Sequence, residues 1–410
     1  MIGGALIYLT GLTVFLAVIL FLVVMLLTLE SFLVKAGDVV ITINDDTDKT
    51  IRTKAGKPLL FALSEKNVLL PSACGGKGSC AMCKCVVEEG GMEPLPTELA
   101  QLSRKERKEH VRLACQLKVR ENLKIKVPEE IFSIRKYDGV VVSNENVATF
   151  IKLLVMKLDT GQTLDFKAGN YMQIDIPAYD LSFSEYEIGE RFKASWERFG
   201  LTRMMAHSDA PVFRAYSLAN PPSEKDVLKF TVRIATPPAG SKDIPPGVGS
   251  SYIFDLKPGD RITVSGPYGD FFVKDTKREV CFIGGGAGMA PMRSHILDQL
   301  EDRKTDRTTT FWYGARSKQE MFFDEEFKAL EEKHNNFTYH VALSEPLPEE
   351  NWNGLKGLIH QCLYEEYLES HDDPTEIEYY LCGPPMMIDA VLNMLDDLGV
   401  EPDMIAYDKF

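Results

Sequence analysis

Four of the eight cysteines crowd between Cys74 and Cys85. Three of them sit in the glycine-rich loop Cys74-Gly-Gly-Lys-Gly-Ser-Cys80-Ala-Met-Cys83, and Cys115 follows downstream. Three thiolates in a tight loop plus a distant fourth is the spacing with which a chain wraps a [2Fe–2S] cluster. The glycines let the backbone bend sharply and turn N–H groups toward the sulfurs. The plant-type pattern puts four residues between its first two cysteines, whereas this chain has five, a difference of loop detail that leaves the ligand number intact. Structural zinc is the competing reading, although zinc sites favour paired C-x-x-C units. Cys85 falls outside the ligand set as a buried strand residue, because Cys packs as a small hydrophobe. Thiols this dense argue for ligation in a reducing compartment and against a disulfide framework.

A second group is Arg214-Ala-Tyr216-Ser217, with Gly247-Val-Gly249-Ser250-Ser251 downstream. An arginine fork can pair with a pyrophosphate, and a tyrosine can stack on a flavin ring. A serine hydroxyl can hydrogen-bond the flavin nitrogen that receives hydride. Glycine before serine at a helix start presents free N–H groups to a phosphate.

The third group is Gly284-Gly285-Gly286-Ala-Gly288-Met-Ala-Pro291, between an apolar strand and a helix. Backbone amides and the helix N-terminus there suit a pyrophosphate, although no G-x-G-x-x-G fingerprint with a spaced acidic residue accompanies them. Cys382-Gly383-Pro384-Pro385 ends a later strand of the same predicted sheet, and such strand ends line the ligand crevice of open α/β sheets. Cys382 reads either as a residue that positions the reacting carbon or as a packed strand end. None of the seven histidines lies in these motifs.

The elements that must position these groups emerge from the pattern. Alternation at Val39, Ile41 and Ile43, an Asn-Asp-Asp turn and Thr50–Thr53 predict a hairpin, with a helix over Pro58–Lys66 and strands at Cys85–Glu88, Arg112–Leu117 and Leu123–Val127. Short strands with one helix and a long loop describe a small α+β domain. Strands predicted at Gly139–Ser143, Phe150–Met156, Asn170–Ile176, Phe230–Ile234 and Arg261–Ser265, punctuated by Gly and Pro, suggest an antiparallel barrel. The stretch from Ala178 to Pro211 interrupts that rhythm; Phe192 and Trp196 at i,i+4 predict a helix that covers the core, with a docking surface as the second reading. From Arg278 onward strands and helices alternate, which predicts a parallel sheet covered on both faces.

The run from Ala5 to Leu29 carries no charge, and its length as helix suffices for a hydrocarbon core of about 30 Å. With no basic n-region and no cleavage site it reads as an anchor and not as a signal peptide. No ionisable residue offers an ion path through it. A net charge of -14 excludes nucleic acid as a partner.

Taken together, the chain resembles the F subunits of the bacterial sodium-translocating NADH:quinone oxidoreductases, over its whole length. Its rear domains are similar to the ferredoxin–NADP reductase superfamily and its front one to a β-grasp ferredoxin. The expected architecture is therefore a transmembrane anchor (1–35), a 2Fe-2S ferredoxin-type domain (36–128), an FAD-binding barrel (129–275) and an NADH-binding α/β domain (276–410). The resemblance implies FAD at Arg214, Tyr216 and Ser217, with its pyrophosphate near Gly249 and Ser250. It implies nicotinamide held by Gly284, Gly285, Gly286, Gly288 and Pro291 and by Cys382, Gly383 and Pro384, with Phe410 shielding the flavin. The expected ligands of the cluster are Cys74, Cys80, Cys83 and Cys115.

The same resemblance implies an electron-input subunit in the bacterial inner membrane, single-pass, with its soluble domains in the cytoplasm. It would take hydride from NADH and send single electrons to partner subunits and finally quinone, coupled to sodium export. A reductase component that feeds an oxygenase uses the same three modules, as the alternative. A non-enzymatic membrane-tethered electron carrier is the rival from another class. Gly314-Ala-Arg316-Ser317-Lys318 follows a strand of the nicotinamide domain and could meet a 2′-phosphate, so the preference for NADH rests on the resemblance.

Overall fold

The computed structural model describes residues 2–33, 37–238, 241 and 244–409, and the chain divides into two units, Met1–Ser133 and Ile134–Phe410. In the first unit, helix α1 spans Ile2–Leu33. Its side chains are described from 10 to 26 and at 28, and all of these are exposed. Among the described residues no helix is long and apolar enough to cross a membrane; the continuous run of described side chains covers roughly 25 Å of helix.

The predicted hairpin is β1 (Asp38–Ile43) and β2 (Asp46–Lys54). Its two-residue turn uses Asn44 and Asp45, both left-handed at φ 54° and 58°, the hand that matches strand twist. Helix α2 (Leu59–Ser64) buries Leu59, Leu60, Ala62 and Leu63. Then come β3 (Lys84–Glu89), the unanticipated short helices α3 (Pro96–Gln101) and α4 (Arg104–Lys108), β4 (Val111–Leu113) and β5 (Leu123–Lys126). The sheet order is β2-β1-β5-β3-β4, with β1 and β5 parallel. The strand expected over Arg112–Leu117 stops at Leu113. Gln116 N and Leu117 N both return to Leu113 O, at 2.9 and 3.1 Å, and the turn they close carries Cys115.

In the second unit, β6 (Arg135–Ala148), β7 (Ile151–Leu158) and β8 (Tyr171–Ile176) precede an insertion. That insertion pairs β9 (Tyr179–Ser182) with β10 (Met205–Ser208) around helix α5 (Glu190–Arg198). As expected from their spacing, Phe192 and Trp196 both face inward, packed with Phe183, Tyr186 and Phe254. Next come β11 (Val212–Ser217), β12 (Val227–Arg233), α6 (Val248–Asp255) and β13 (Arg261–Tyr268). Six of these strands form one antiparallel sheet in the order β11-β8-β13-β6-β7-β12.

The alternating segment is β14 (Val280–Gly285), α7 (Met289–Leu297), β15 (Thr309–Ala315), α8 (Asp324–Lys333), β16 (Phe337–Leu343), β17 (Leu355–Lys356), α9 (Ile359–Leu363), β18 (Glu378–Gly383), α10 (Pro385–Asp397) and β19 (Ile405–Lys409). All six strands are parallel, in the order β17-β16-β15-β14-β18-β19. Strand alternation sends Phe282, Phe311 and Tyr380 into one core and Ile283, Trp312 and Leu381 into the other, so both faces are covered. The chain reverses direction across the sheet between β14 and β18. That switch point opens a crevice at the strands' C-terminal ends, where Gly284–Gly288 and Cys382–Pro384 lie.

Candidate functional site

The thiol loop is built from left-handed glycines: Gly75, Gly76 and Gly78 have φ of 62°, 90° and 80°. A side chain at Gly78 would run into Gln116, 2.7 Å from its Nε2. With the loop so curled, Cys80 Sγ lies 3.4 Å from Cys74 Sγ, and the N–H groups of Cys80, Ser79 and Gly78 all donate to Cys74. The Cys80 thiol and these amides pull Cys74 down to about 3, whereas Cys80 is pushed up by its hydrogen bond to Cys74 and by burial.

A different device joins Cys83 to Cys115. Strands β3 and β4 are antiparallel with Lys84 opposite Leu113, and Ala114 N donates to Cys83 O at 2.9 Å. Cys83 is pushed up by its bond to Cys115 and by burial, while Cys115 falls to about 7 through its bond with Cys83 and further contacts from Gln116 and Gly78 N–H. Behind β4 stands a buried ion pair. Arg112 grips both oxygens of Glu98 at 2.9 and 2.8 Å, and Leu113 N donates to Glu98 Oε1 at 3.1 Å. Burial opposes the charge on Glu98, but Arg112 and the amides outweigh it and hold the carboxyl below its usual range. Removing one partner would leave the other charge buried and unpaired, at a cost of roughly 3–5 kcal/mol, so the two must be kept together beside the turn that carries Cys115.

The four thiols therefore stand as two pairs, Cys74 with Cys80 and Cys83 with Cys115. Among the described residues, no three Cys, His, Asp or Glu side chains are arranged to hold one metal ion. Two thiolates for each of two irons, with amides aimed at sulfur, fit a binuclear cluster. Cys85 is buried on β3, the strand position expected of it, and burial pushes its thiol up to about 12.

On β11, Arg214 and Tyr216 fall on one face by strand alternation, and helix α6 lies against it. A Cβ on Gly249 would stand 2.6 Å from Tyr216 Oη and 2.7 Å from Arg214 Cγ, so only glycine lets α6 come this close. The Ser250 hydroxyl is already engaged: it accepts from Ala235 N at 3.0 Å and donates to Gly247 O at 3.2 Å. Its offer to a phosphate is thus its main-chain N–H. At the far end of α6, Asn144 Nδ2 donates to the carbonyls of Ile253 and Leu256, and the buried Lys152 ammonium donates to Phe254 O at 2.9 Å. The helix is held at its C-terminus, and its first turn faces Arg214. An anionic group fits this cradle of guanidinium and amide donors.

In the crevice, β14 runs into the glycine turn and then α7. Gly286 is left-handed at φ 56° and its Cβ direction meets nothing within 4 Å, so the turn is open there. Gly285 and Gly383 pack on one another: a Cβ on Gly383 would lie 3.1 Å from Gly285 O. Pro291 is buried in α7. Cys382 is fully buried, its thiol raised well above the usual value by burial and by Asp408, which stands opposite on β19. Asp408 itself is raised to about 6 by burial and by Asp270. Phe410 lies outside the described residues.

Three residues of this region carry no motif that the sequence declares. Asp408 belongs to a strand that the pattern did not predict. Arg293 and His295 lie on α7, immediately after the turn, and both are buried there; their one sequence signal is polarity inside an otherwise apolar helix. His295 is packed between Phe271 and Phe282 and is driven down to about 3 by burial.

Comparisons with known proteins agree with this geometry. The family described as "2Fe-2S iron-sulfur cluster binding domain" matches residues 41–120, "Oxidoreductase FAD-binding domain" residues 201–273 and "Oxidoreductase NAD-binding domain" residues 282–393. The F subunit of the Na(+)-translocating NADH-quinone reductase of Serratia proteamaculans (strain 568) is 50% identical over 400 residues, 98% of each chain. That of Idiomarina loihiensis is 51% identical over 400 residues, again 98% of each. Among solved structures, the Amycolatopsis cytochrome P450 reductase is similar in fold at 23% identity and a TM-score of 0.63, over 91% of this chain and 98% of that one. A ferredoxin reductase of carbazole 1,9a-dioxygenase is 25% identical with a TM-score of 0.62, over 91% and 99%.

Proposed function

This chain belongs to the family of F subunits of the sodium-translocating NADH-quinone reductases, and from that premise we propose how its residues serve the oxidation of NADH. It is the electron-input subunit of a membrane respiratory complex, an oxidoreductase that takes reducing equivalents from NADH for delivery through other subunits to quinone, coupled to sodium export. FAD and a 2Fe–2S centre, when bound, supply acceptance of a hydride pair and its release as single electrons.

The residues divide the remaining work. Arg214 and the first-turn amides of α6 at Gly249 and Ser250 hold the flavin pyrophosphate. Tyr216 would offer its ring to the flavin, and Ser217 at the end of β11 would offer its hydroxyl as a hydrogen-bond donor to it. The Gly284–Gly288 turn and the start of α7, up to Pro291, hold the nucleotide's phosphates, while Cys382, Gly383 and Pro384 border its reacting end. Phe410, at the chain's aromatic C-terminal position, would shield the flavin. Cys74, Cys80, Cys83 and Cys115 ligate the two irons.

In this reading the chain comprises an anchor (1–35), a ferredoxin-type domain (36–128), a flavin domain (129–275) and an NADH domain (276–410). The six-stranded sheet closes as a barrel; Ala219 N bonds to Lys229 O at 2.8 Å, drawing the chain after β11 toward β12, the opposite edge strand. Helix α1 crosses the inner membrane once, supported by the uncharged run from Ala5 to Leu29, and the soluble domains lie in the cytoplasm, supported by Lys35 after the run with no Lys or Arg before it.

The observation that carries the proposal is one chain, matched over 98% of its length, that joins two thiol pairs to an arginine–amide cradle and an open glycine turn. Purified full chain in detergent, loaded with FAD, should reduce a one-electron acceptor such as ferricyanide at the expense of NADH. Arg214→Ala should abolish this together with flavin binding; activity without flavin would overturn the site assignment. A chain that begins at Ala36 should stay in solution without detergent, whereas membrane association of that chain would remove the anchoring role from α1.

A further inference from the structure

The segment that follows β11, together with β12, is hydrogen-bonded to the glycine turn and α7 by side chains that neither motif contains. Arg293, on α7 directly after the turn, donates from Nη1 to Ala219 O at 2.6 Å, two residues beyond Ser217. Its neighbour Ser294, fully buried, donates to Asn220 O at 2.7 Å. Thr231 on β12 donates from Oγ1 to Ala287 O at 3.0 Å, inside the glycine turn itself.

Arg293 and the carbonyls that accept from α7 are held from behind. Glu326 on α8 grips Arg293 through Nε and Nη2, both at 2.6 Å, which fixes the plane of the guanidinium. The Phe323 ring lies 4.8 Å from the Arg293 Cζ, and Phe323 takes a left-handed φ of 61° at the start of α8. A bulky residue adopts that conformation only where its surroundings impose it. On the flavin side, Ala219 N is bonded to Lys229 O and Leu218 N to Asn170 O, so the accepting carbonyls cannot drift. Asn220 is clamped as well: its Oδ1 accepts from Lys229 N and its Nδ2 donates to Val227 O, both at 2.9 Å.

We propose that Arg293 and Thr231 are positioning residues that fix the separation between the strand end at Ser217 and the turn Gly284–Gly288. They thereby set the distance between the hydride donor and the flavin. Neither side chain needs to touch either ligand. A hydride moves only when donor and acceptor are in near contact, so a shift of about 1 Å between the two lobes costs rate and leaves both binding sites intact. Arginine is required at 293 because three donors in one plane must reach a carbonyl and a carboxylate together, which a lysine cannot do.

The inference rests on the functional reading above, and its test separates the two. Arg293→Lys and Thr231→Val are compared with the parent full chain by anaerobic stopped-flow reduction of bound flavin and by hydrogen–deuterium exchange. Each variant should lower the limiting rate at saturating NADH by about tenfold or more, with flavin content kept and the apparent KM changed less than about twofold. Amides of 284–290 should exchange faster in both variants, while those of the β6 and β7 core do not. Limiting rates within twofold of the parent, or a fall no greater than the loss of flavin, would overturn it. So would unchanged exchange at 284–290, a result that stands even if NADH fails to reduce the parent and the functional reading itself falls.

Discussion

The carbonyl oxygen of Cys382 occupies the place a side chain at position 288 would need: a Cβ built on Gly288 falls 2.1 Å from it and 2.7 Å from Gly383 N. Backbone meets backbone here, so neither partner can yield as a flexible side-chain tip would. Gly288→Ala must push the start of α7 away from β18. The expected result is a fall in kcat/KM for NADH of roughly tenfold or more with flavin still bound. Steady-state kinetics with flavin quantified by absorbance checks it, and an unchanged kcat/KM contradicts it.

Gly249 is the corresponding contact on the flavin side, with Tyr216 Oη 2.6 Å and Arg214 Cγ 2.7 Å from its Cβ direction. Gly249→Val would displace the first turn of α6 from the arginine. FAD affinity should drop by about a hundredfold, or roughly 2.7 kcal/mol, and the protein should emerge from purification without flavin. Retained flavin at parental stoichiometry would show that α6 does not hold the pyrophosphate.

The two buried cysteines of β3 and its approach can be told apart by substitution. Cys83 faces Cys115, whereas Cys85 lies in the strand core with a thiol raised to about 12. Cys83→Ser should lose the low-temperature EPR signal of the reduced cluster while NADH still bleaches the flavin. Cys85→Ala should keep that signal in full and lower the thermal midpoint slightly, because it leaves only a small cavity.

His295 gives the nicotinamide lobe a pH dependence. Its folded value is about 3, set by burial, against 6.5 for the unfolded chain. Between those values the unfolded state carries a proton that the folded state lacks, so stability is full above 6.5 and is lost as pH falls toward 3. Over the whole window the loss is roughly 3–5 kcal/mol, and about 2 kcal/mol of it falls between pH 6.5 and pH 5. Denaturant unfolding of parent and His295→Leu at pH 7 and pH 5 checks this. The parent should weaken by that extra margin, and equal weakening of the two proteins would contradict it.

Preference for NADH can be probed at the ends of β15 and β16, where Arg316 Nη2 lies 2.7 Å from Glu345 Oε2 and both side chains are exposed. The carboxylate keeps the guanidinium occupied and would repel a 2′-phosphate. Glu345→Gln should raise kcat/KM for NADPH by roughly tenfold and change that for NADH by less than about threefold. No gain with NADPH would show that discrimination lies elsewhere in the crevice.

Much of this site was legible because its signals are short-range. The glycine turn after β14 and the thiol loop are local spacings, and the parallel sheet follows from strand–helix alternation. The pairing of Cys83 with Cys115 was not legible, since it depends on the β3–β4 ladder and on the Glu98–Arg112 pair behind it. Strand β11 gives no periodic signal because five of its six residues are only half-buried, so it lacks an apolar alternation. Arg293 was hidden for the opposite reason: a buried cation inside an apolar helix declares its role only once its carbonyl and carboxylate partners are in place.

The central claim is that reducing equivalents from NADH reach a binuclear centre within this one chain, and the direct test is an anaerobic NADH titration followed by visible absorption and low-temperature EPR. The expected result is bleaching of the flavin together with a signal from a reduced 2Fe–2S cluster that disappears in Cys83→Ser. Flavin bleaching with no cluster signal at any NADH level would contradict it and return the four paired thiols to a structural or zinc role.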